Sequence, residues 1–201
     1  MSWPSTPHIS GLALLLLLLA HPPTQAAAAG PGEARPAVVK PEQPSGSAKG
    51  LQAILETNQG TLTFDLFPDS APKTVARFSE LVKKGFYNGL AFYRVVPKFL
   101  VQTGDPSGEG AGGSGENLPA EFNERKHGVG TVGMARRHDP DSADSQFYIC
   151  LEPQPFLDGK YTVFGRLVDG LSVLDAIEQV PVNGETPVTR IELVHVRIER
   201  R

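Results

Sequence analysis

Residues 92–116 read FYRVVPKFLVQTGDPSGEGAGGSGE. Two apolar runs, 91–96 and 99–103, flank Pro97-Lys98. Both are rich in β-branched and aromatic residues, the composition of strands. The glycine-rich remainder, Gly108–Gly115, is loop. Arg94 falls inside the first apolar run. Alone, such an arginine reads as a salt-bridged or snorkelling side chain, with its charge led out to water.

Outward from this stretch the pattern stays mainly β. A strand starts at Leu51 and passes through Ile54 and Leu55. Asn58-Gln59-Gly60 supplies turn chemistry, and TLTFDLF after it alternates, with Leu62, Phe64 and Leu66 on one face. Two such runs around a short turn predict a hairpin. Pro68 ends the second strand. A helix is expected over 72–84, capped by Asp69 or Ser70, with Val75, Phe78, Leu81 and Val82 on one face. A second helix is expected over 172–179. Further strands are expected over 131–135, 146–151, 162–168 and 191–198. Eight strands suit a closed barrel filled by side chains, because closure removes exposed edges. The expected fold is a closed eight-stranded antiparallel barrel capped by two α-helices.

The first fifty residues read differently. Leu12–Ala20 is LALLLLLLA, too short for a bilayer, which needs about 20 residues, but suited to the apolar stretch of a secretory signal. TQAAAAG beyond it offers small-residue cleavage sites, although no Lys or Arg precedes the apolar run. Residues 1–29 are therefore expected to be a signal peptide. Residues 30–50, rich in Pro, Ala and Gly, read as a disordered linker, and 51–201 as the folded domain. The expected location is periplasmic or secreted, with no stable membrane insertion after cleavage.

Several chemistries are weak from the outset. Net charge is -3, against a nucleic-acid binder. The single cysteine, Cys150, lies among Phe147, Tyr148, Ile149 and Leu151, and reads as a small core residue rather than a thiol nucleophile. Gly108–Gly115 lacks the Gly-Lys-Ser/Thr ending of a phosphate loop. Asp139, Asp141 and Asp144 around Pro140 read as a solvated turn. The five histidines lack ligand spacing, so no metal and no cofactor is expected.

A second stretch, residues 134–165, reads MARRHDPDSADSQFYICLEPQPFLDGKYTVFG. With FYRVVPKFLVQTGD, the pieces GMA, SQFYIC and FLDGKYTVFG, and the preceding APKTVARFSELVKKGFYNGLAFYR, residues 51–198 closely resemble the cyclophilin family of peptidyl-prolyl cis-trans isomerases. The loops look like those of compact, exported bacterial members. Placement of a helix over each barrel end follows the same resemblance.

The resemblance implies rotation about X-Pro peptide bonds. It places Arg94 at the catalytic arginine position, with Gln102 holding a substrate backbone carbonyl. Phe99, Leu100, Tyr148 and Leu157 match the proline pocket, and Ala135, Arg136 and Gln146 match the groove for the peptide backbone. Phe156 stands where many members have Trp, Tyr161 where many have His, and Arg136 where Asn is common. The implied partners are Pro-containing peptides and unfolded or folding client proteins, and the implied state is a monomer. A binding module for Pro-containing segments is the competing reading, and a structural protein of the cell envelope a third. Arg94 and Gln102 favour the enzyme, since binding alone does not call for the arginine.

Overall fold

The computed structural model describes residues 50–201; the expected signal peptide and nearly all of the expected linker lie outside them. The expected hairpin is present. β1 (Leu51–Thr57) pairs antiparallel with β2 (Gly60–Leu66). Its turn is tied at both ends. The Thr57 hydroxyl donates to the Gly60 carbonyl, and the Asn58 side-chain amide reaches the Arg190 carbonyl, 2.9 Å away.

Six further strands complete the sheet: β3 (Arg94–Val96), β4 (Leu100–Thr103), β5 (Thr131–Met134), β6 (Phe147–Cys150), β7 (Val163–Asp169) and β10 (Leu193–Arg200). A separate short hairpin, β8 (Val182–Asn183) with β9 (Thr186–Pro187), was not expected. The sheet order is β10-β1-β2-β7-β5-β6-β4-β3, with every pairing antiparallel.

The sheet is an open half-barrel, which corrects the expected closed barrel. Its outer strands, β10 and β3, do not ladder together. The reason is local. β3 has only three residues and ends at Pro97, which has no N–H to donate. The chain just before β3 meets the chain just before β10 through one isolated bridge, Ala91 with Glu192, and a few bonds such as Phe92 N–H to the Ile191 carbonyl at 2.9 Å. The Val95 N–H is taken by the Glu185 carbonyl at 2.7 Å. This edge is covered by a hairpin rather than closed by a ladder.

α1 (Pro72–Lys83) buries Val75, Phe78, Leu81 and Val82, the face its spacing predicts. Phe78 joins a buried aromatic cluster, 5.1 Å from the Tyr87 ring, 5.6 Å from Phe147 and 5.4 Å from Phe164. α2 (Leu171–Glu178) packs on β2 and β3 and buries Leu174 and Ile177.

The start of α1 differs from expectation. Neither Asp69 nor Ser70 caps it; the cap position is Ala71, which has no side-chain acceptor. The free amide groups of the first turn are met instead from 47 residues away in the chain. Glu121 accepts from Lys73 N at 3.0 Å, Thr74 N at 2.8 Å and the Thr74 hydroxyl at 2.7 Å. A carboxylate there also faces the positive end of the helix dipole. Glu121→Ala is expected to lower stability by about 1–2 kcal/mol, the usual cost of a lost N-terminal cap. Urea denaturation reads this as a lower midpoint with an unchanged slope.

Candidate active site

The pleat of three strands divides core from surface. Val95, Val101, Phe147 and Ile149 point into the main core. Leu100, Tyr148 and Cys150, on the opposite face, form a second apolar cluster with Leu157, against which Phe99, Ala135 and Tyr161 pack. Alternation with period two sends neighbouring residues of one strand to these two destinations.

Register then assembles a row. Arg94 of β3 lies opposite Gln102 of β4, Gln102 opposite Tyr148 of β6, and Tyr148 opposite Gly133 of β5. At Gly133 a Cβ would sit 2.4 Å from the Tyr148 hydroxyl oxygen, so the ring occupies space that only glycine leaves.

Arg94 is partly exposed at one end of the row. Its Nη1 lies 3.4 Å from Gln102 Oε1, and its Cζ lies 5.9 Å from the Phe99 ring centre. Phe99 stacks on the exposed Phe156 at 5.8 Å. Gln102 is buried, and its amide N–H groups go to the Tyr93 oxygen and to Gln146 Oε1, the latter at 2.9 Å. Gln146 donates in turn to the carbonyls of Gly110 and Gly112, at 3.1 and 2.8 Å. A cavity of about 210 Å³ opens beside this network, with Gln102, Ala135, Arg136 and Gln146 in its wall. Arg136 lies over the Tyr161 ring at 4.6 Å and donates to the Lys160 carbonyl at 3.0 Å from Nη2. The structure thus sets Leu100, Tyr148 and Leu157 in one buried cluster with Phe99, Ala135 and Tyr161 against it, and Gln102, Ala135, Arg136 and Gln146 in the wall of the cavity.

Burial raises the pKa of three groups around the row. Burial pushes the Cys150 thiol up to about 12, so it is a protonated apolar filler. Burial also pushes the Tyr148 and Tyr93 hydroxyls well above their ordinary range. The sequence did not point to the support beneath Tyr148. There the buried His127 ring bridges Asp158 Oδ1 at 2.9 Å and the Tyr148 hydroxyl at 2.9 Å. Burial pushes the Asp158 carboxyl up. Hydrogen bonds from the His127 backbone and ring and from Lys126 outweigh that and hold it below the usual carboxylate range. The ring thus links the carboxylate to the phenol oxygen, one ring nitrogen at each contact. Tyr93 and Glu185 are further neighbours of the row that the sequence did not single out; only the folded register brings them there.

The glycine-rich loop is no anion cradle. Its N–H groups are spent on protein carboxylates: Gly110 and Gly112 on Asp105, Ser114 and Gly115 on Asp144. Asp139 caps the short 3-10 turn Pro140–Ser142 by accepting from Asp141 N at 2.9 Å, and Asp141 accepts from the distant Ala120 N at 2.8 Å. Among the described residues no group of three or more His, Cys, Asp or Glu is placed to hold a metal ion.

The arrangement is a partly exposed guanidinium at the end of a row that runs into the buried apolar cluster of Leu100, Tyr148, Cys150 and Leu157. The family model "Cyclophilin type peptidyl-prolyl cis-trans isomerase/CLD" matches residues 53–198, and the chain belongs to this family of isomerases. "Peptidyl-prolyl cis-trans isomerase-like 1" of Aspergillus niger is 43% identical over 149 residues, covering 71% of this chain and 91% of the relative. A "Peptidyl-prolyl cis-trans isomerase" of Synechococcus elongatus is 48% identical over 122 residues, covering 61% and 83%. A crystal structure of a Cryptosporidium parvum cyclophilin type peptidyl-prolyl cis-trans isomerase superposes with a TM-score of 0.72 at 32% identity. It covers 75% of this chain and 98% of that one. The same protein was also solved in the presence of the dipeptide Ala-Pro, with a TM-score of 0.71. Fungal and bacterial relatives alike are matched, so these likenesses define the family and not a bacterial subgroup.

Gly133→Ala is expected to push the Tyr148 ring out of the row. Overpacking of this kind costs about 1–3 kcal/mol of stability. An unchanged urea midpoint together with full isomerase activity would show that the ring does not depend on the missing side chain.

Proposed function

We propose that this isomerase acts on X-Pro bonds of exported proteins while they fold, with Arg94 as the donor that stabilises the twisted peptide bond. The observation that carries the Arg94 role is its position opposite Gln102, in one row with the buried Tyr148 and beside Phe99.

The chemistry follows from amide resonance. The barrier of about 18–20 kcal/mol is the loss of C–N double-bond character. In the twisted state the bond is single and the prolyl nitrogen regains a lone pair. A guanidinium N–H can donate to that lone pair, which the planar cis and trans forms do not offer. Only the transition state gains, so the rate rises. Arginine suits the task because it stays protonated at any physiological pH. Phe99, Leu100, Tyr148 and Leu157 hold the proline ring and exclude water, which strengthens the donor's interaction. Ala135, Arg136 and Gln146 form the wall along which the substrate backbone lies. Gln102 is already bonded to Tyr93, Gln146 and Arg94, so a substrate carbonyl that it holds exchanges with one of these partners. Lowering the barrier by about 7 kcal/mol accelerates the step on the order of 10⁵-fold.

The assay is cis-to-trans isomerisation of an Ala-Pro-Phe-type peptide. The wild type is expected to be fast, and Arg94→Ala slower by about tenfold or more with peptide affinity retained. Equal rates in the two would leave a Pro-binding module as the better account of the surface.

Export is supported by the apolar run Leu12–Ala20 and the alanine-rich stretch after it. Uncatalysed X-Pro isomerisation takes tens to hundreds of seconds, slow enough to limit folding after translocation. The mature form acts as a periplasmic or secreted monomer on unfolded or folding clients. N-terminal sequencing of the protein recovered from outside the cytoplasm is expected to begin near residues 27–30. Recovery of only the uncut chain from the cytoplasm would refute export.

A further inference from the structure

We infer that Glu185 is a positioning residue for the isomerisation, because its carboxylate fixes the plane of the Arg94 guanidinium. The inference rests on Arg94 being the donor to the prolyl nitrogen.

Glu185 follows Gly184 in the two-residue loop between β8 and β9. Its carbonyl accepts the N–H of Val95, the residue after Arg94, at 2.7 Å. The main chain of Glu185 is thus pinned to β3 directly beside the arginine. From there its side chain grips one edge of the guanidinium: Nε to Oε2 at 2.5 Å and Nη2 to Oε1 at 3.3 Å. Two parallel N–H bonds to one carboxylate fix orientation as well as position.

The remaining donors divide cleanly. A guanidinium carries five N–H groups. Glu185 takes two and Gln102 one, at 3.4 Å. Two, on the terminal nitrogens, have no partner among the described residues and are open to a substrate lying over Phe99. Without Glu185 the long arginine stem, with 30% of its side chain exposed, has room to leave this geometry, and Gln102 alone holds it by one long bond. A donor aimed before the substrate arrives needs no reorganisation in the transition state.

The Glu185 side chain is itself 54% exposed. Exposed ion pairs contribute little to stability. Loss of the carboxylate should therefore be seen in turnover and hardly at all in unfolding, which separates positioning from a merely structural role. Glutamine in this place keeps the size but cannot accept from both edge N–H groups.

The test uses the full chain and a neutral Ala-Pro-Phe-type peptide. Glu185→Gln is expected to lower kcat by about threefold to tenfold, with KM within about twofold of the wild type and an unchanged urea midpoint. Glu185→Asp is expected to recover part of the loss. The Arg94 Nε–H resonance should move toward that of a solvent-exposed arginine in Glu185→Gln. The Arg94→Ala, Glu185→Gln double variant should be no slower than Arg94→Ala alone. Glu199→Gln, which breaks an ion pair with Arg197 on β10, serves as the control and should match the wild type. If Glu185→Gln turns over at or above the wild-type rate while Arg94→Ala is slow, the positioning role is overturned and the arginine assignment stands. If Arg94→Ala itself keeps the wild-type rate, it is the arginine assignment that fails.

Discussion

The site depends on the register of β3, β4, β6 and β5, which sets Arg94, Gln102, Tyr148 and Gly133 in one line across the sheet. In a pleated sheet a slip of one residue turns every side chain to the other face. Such a slip in β6 would put Tyr148 in the core and Phe147 on the surface. Register is specified because the inward set, Val95, Val101, Phe147 and Ile149, is fully committed to the core. The hydrophobic burial that stabilises the fold is therefore the same constraint that presents the chemistry.

That coupling explains why the site needs few polar supports of its own. Beneath Tyr148 the His127 and Asp158 pair satisfies a buried hydroxyl that would otherwise be costly. Under Gln102, the Tyr93 and Gln146 groups satisfy an amide in the same way. Each network leaves its polar atoms paired and its ring or amide in one orientation. A pocket built so keeps its shape without substrate, and binding energy is not consumed in ordering it.

Much of this was legible in the sequence, for identifiable reasons. Alternation in TLTFDLF and the apolar runs around Pro97-Lys98 are local signals; β2 and β4 appear within a residue of expectation, while β3 is a strand only over Arg94–Val96, half of the expected 91–96. The α1 face was legible because Val75, Phe78, Leu81 and Val82 repeat at helical spacing. The ordered motifs singled out Leu100, Tyr148 and Leu157, which the fold brings into one buried cluster. What failed was non-local. Closure of a barrel depends on whether two distant edges meet, and a three-residue β3 bordered by Pro97 does not extend far enough to ladder with β10. The cap of α1 comes from Glu121, and nothing near Ala71 announces it. The β8–β9 hairpin has two residues in each strand, too few to show a period.

The glycine-rich loop shows how a composition that suggests mobility can serve rigidity. Asp105 and Asp144 draw its N–H groups inward, and at Gly112 a Cβ would lie 2.1 Å from Asp105 Oδ1, so no other residue admits the carboxylate so closely. Burial pushes the Asp105 carboxyl up, but the bonds from Ser107, Gly112 and Gly110 outweigh it and hold it below the usual carboxylate range. A folded-state pKa below the unfolded one gives stability that is present above the unfolded pKa and lost as pH falls through the folded one. The loop is therefore held throughout the neutral range. Its Gly110 and Gly112 carbonyls are fixed acceptors for Gln146, which in turn orients Gln102 beside Arg94. Glycine here trades side chains for backbone that can be gripped, and the grip is transmitted through Gln146 to Gln102 in the row that holds Arg94.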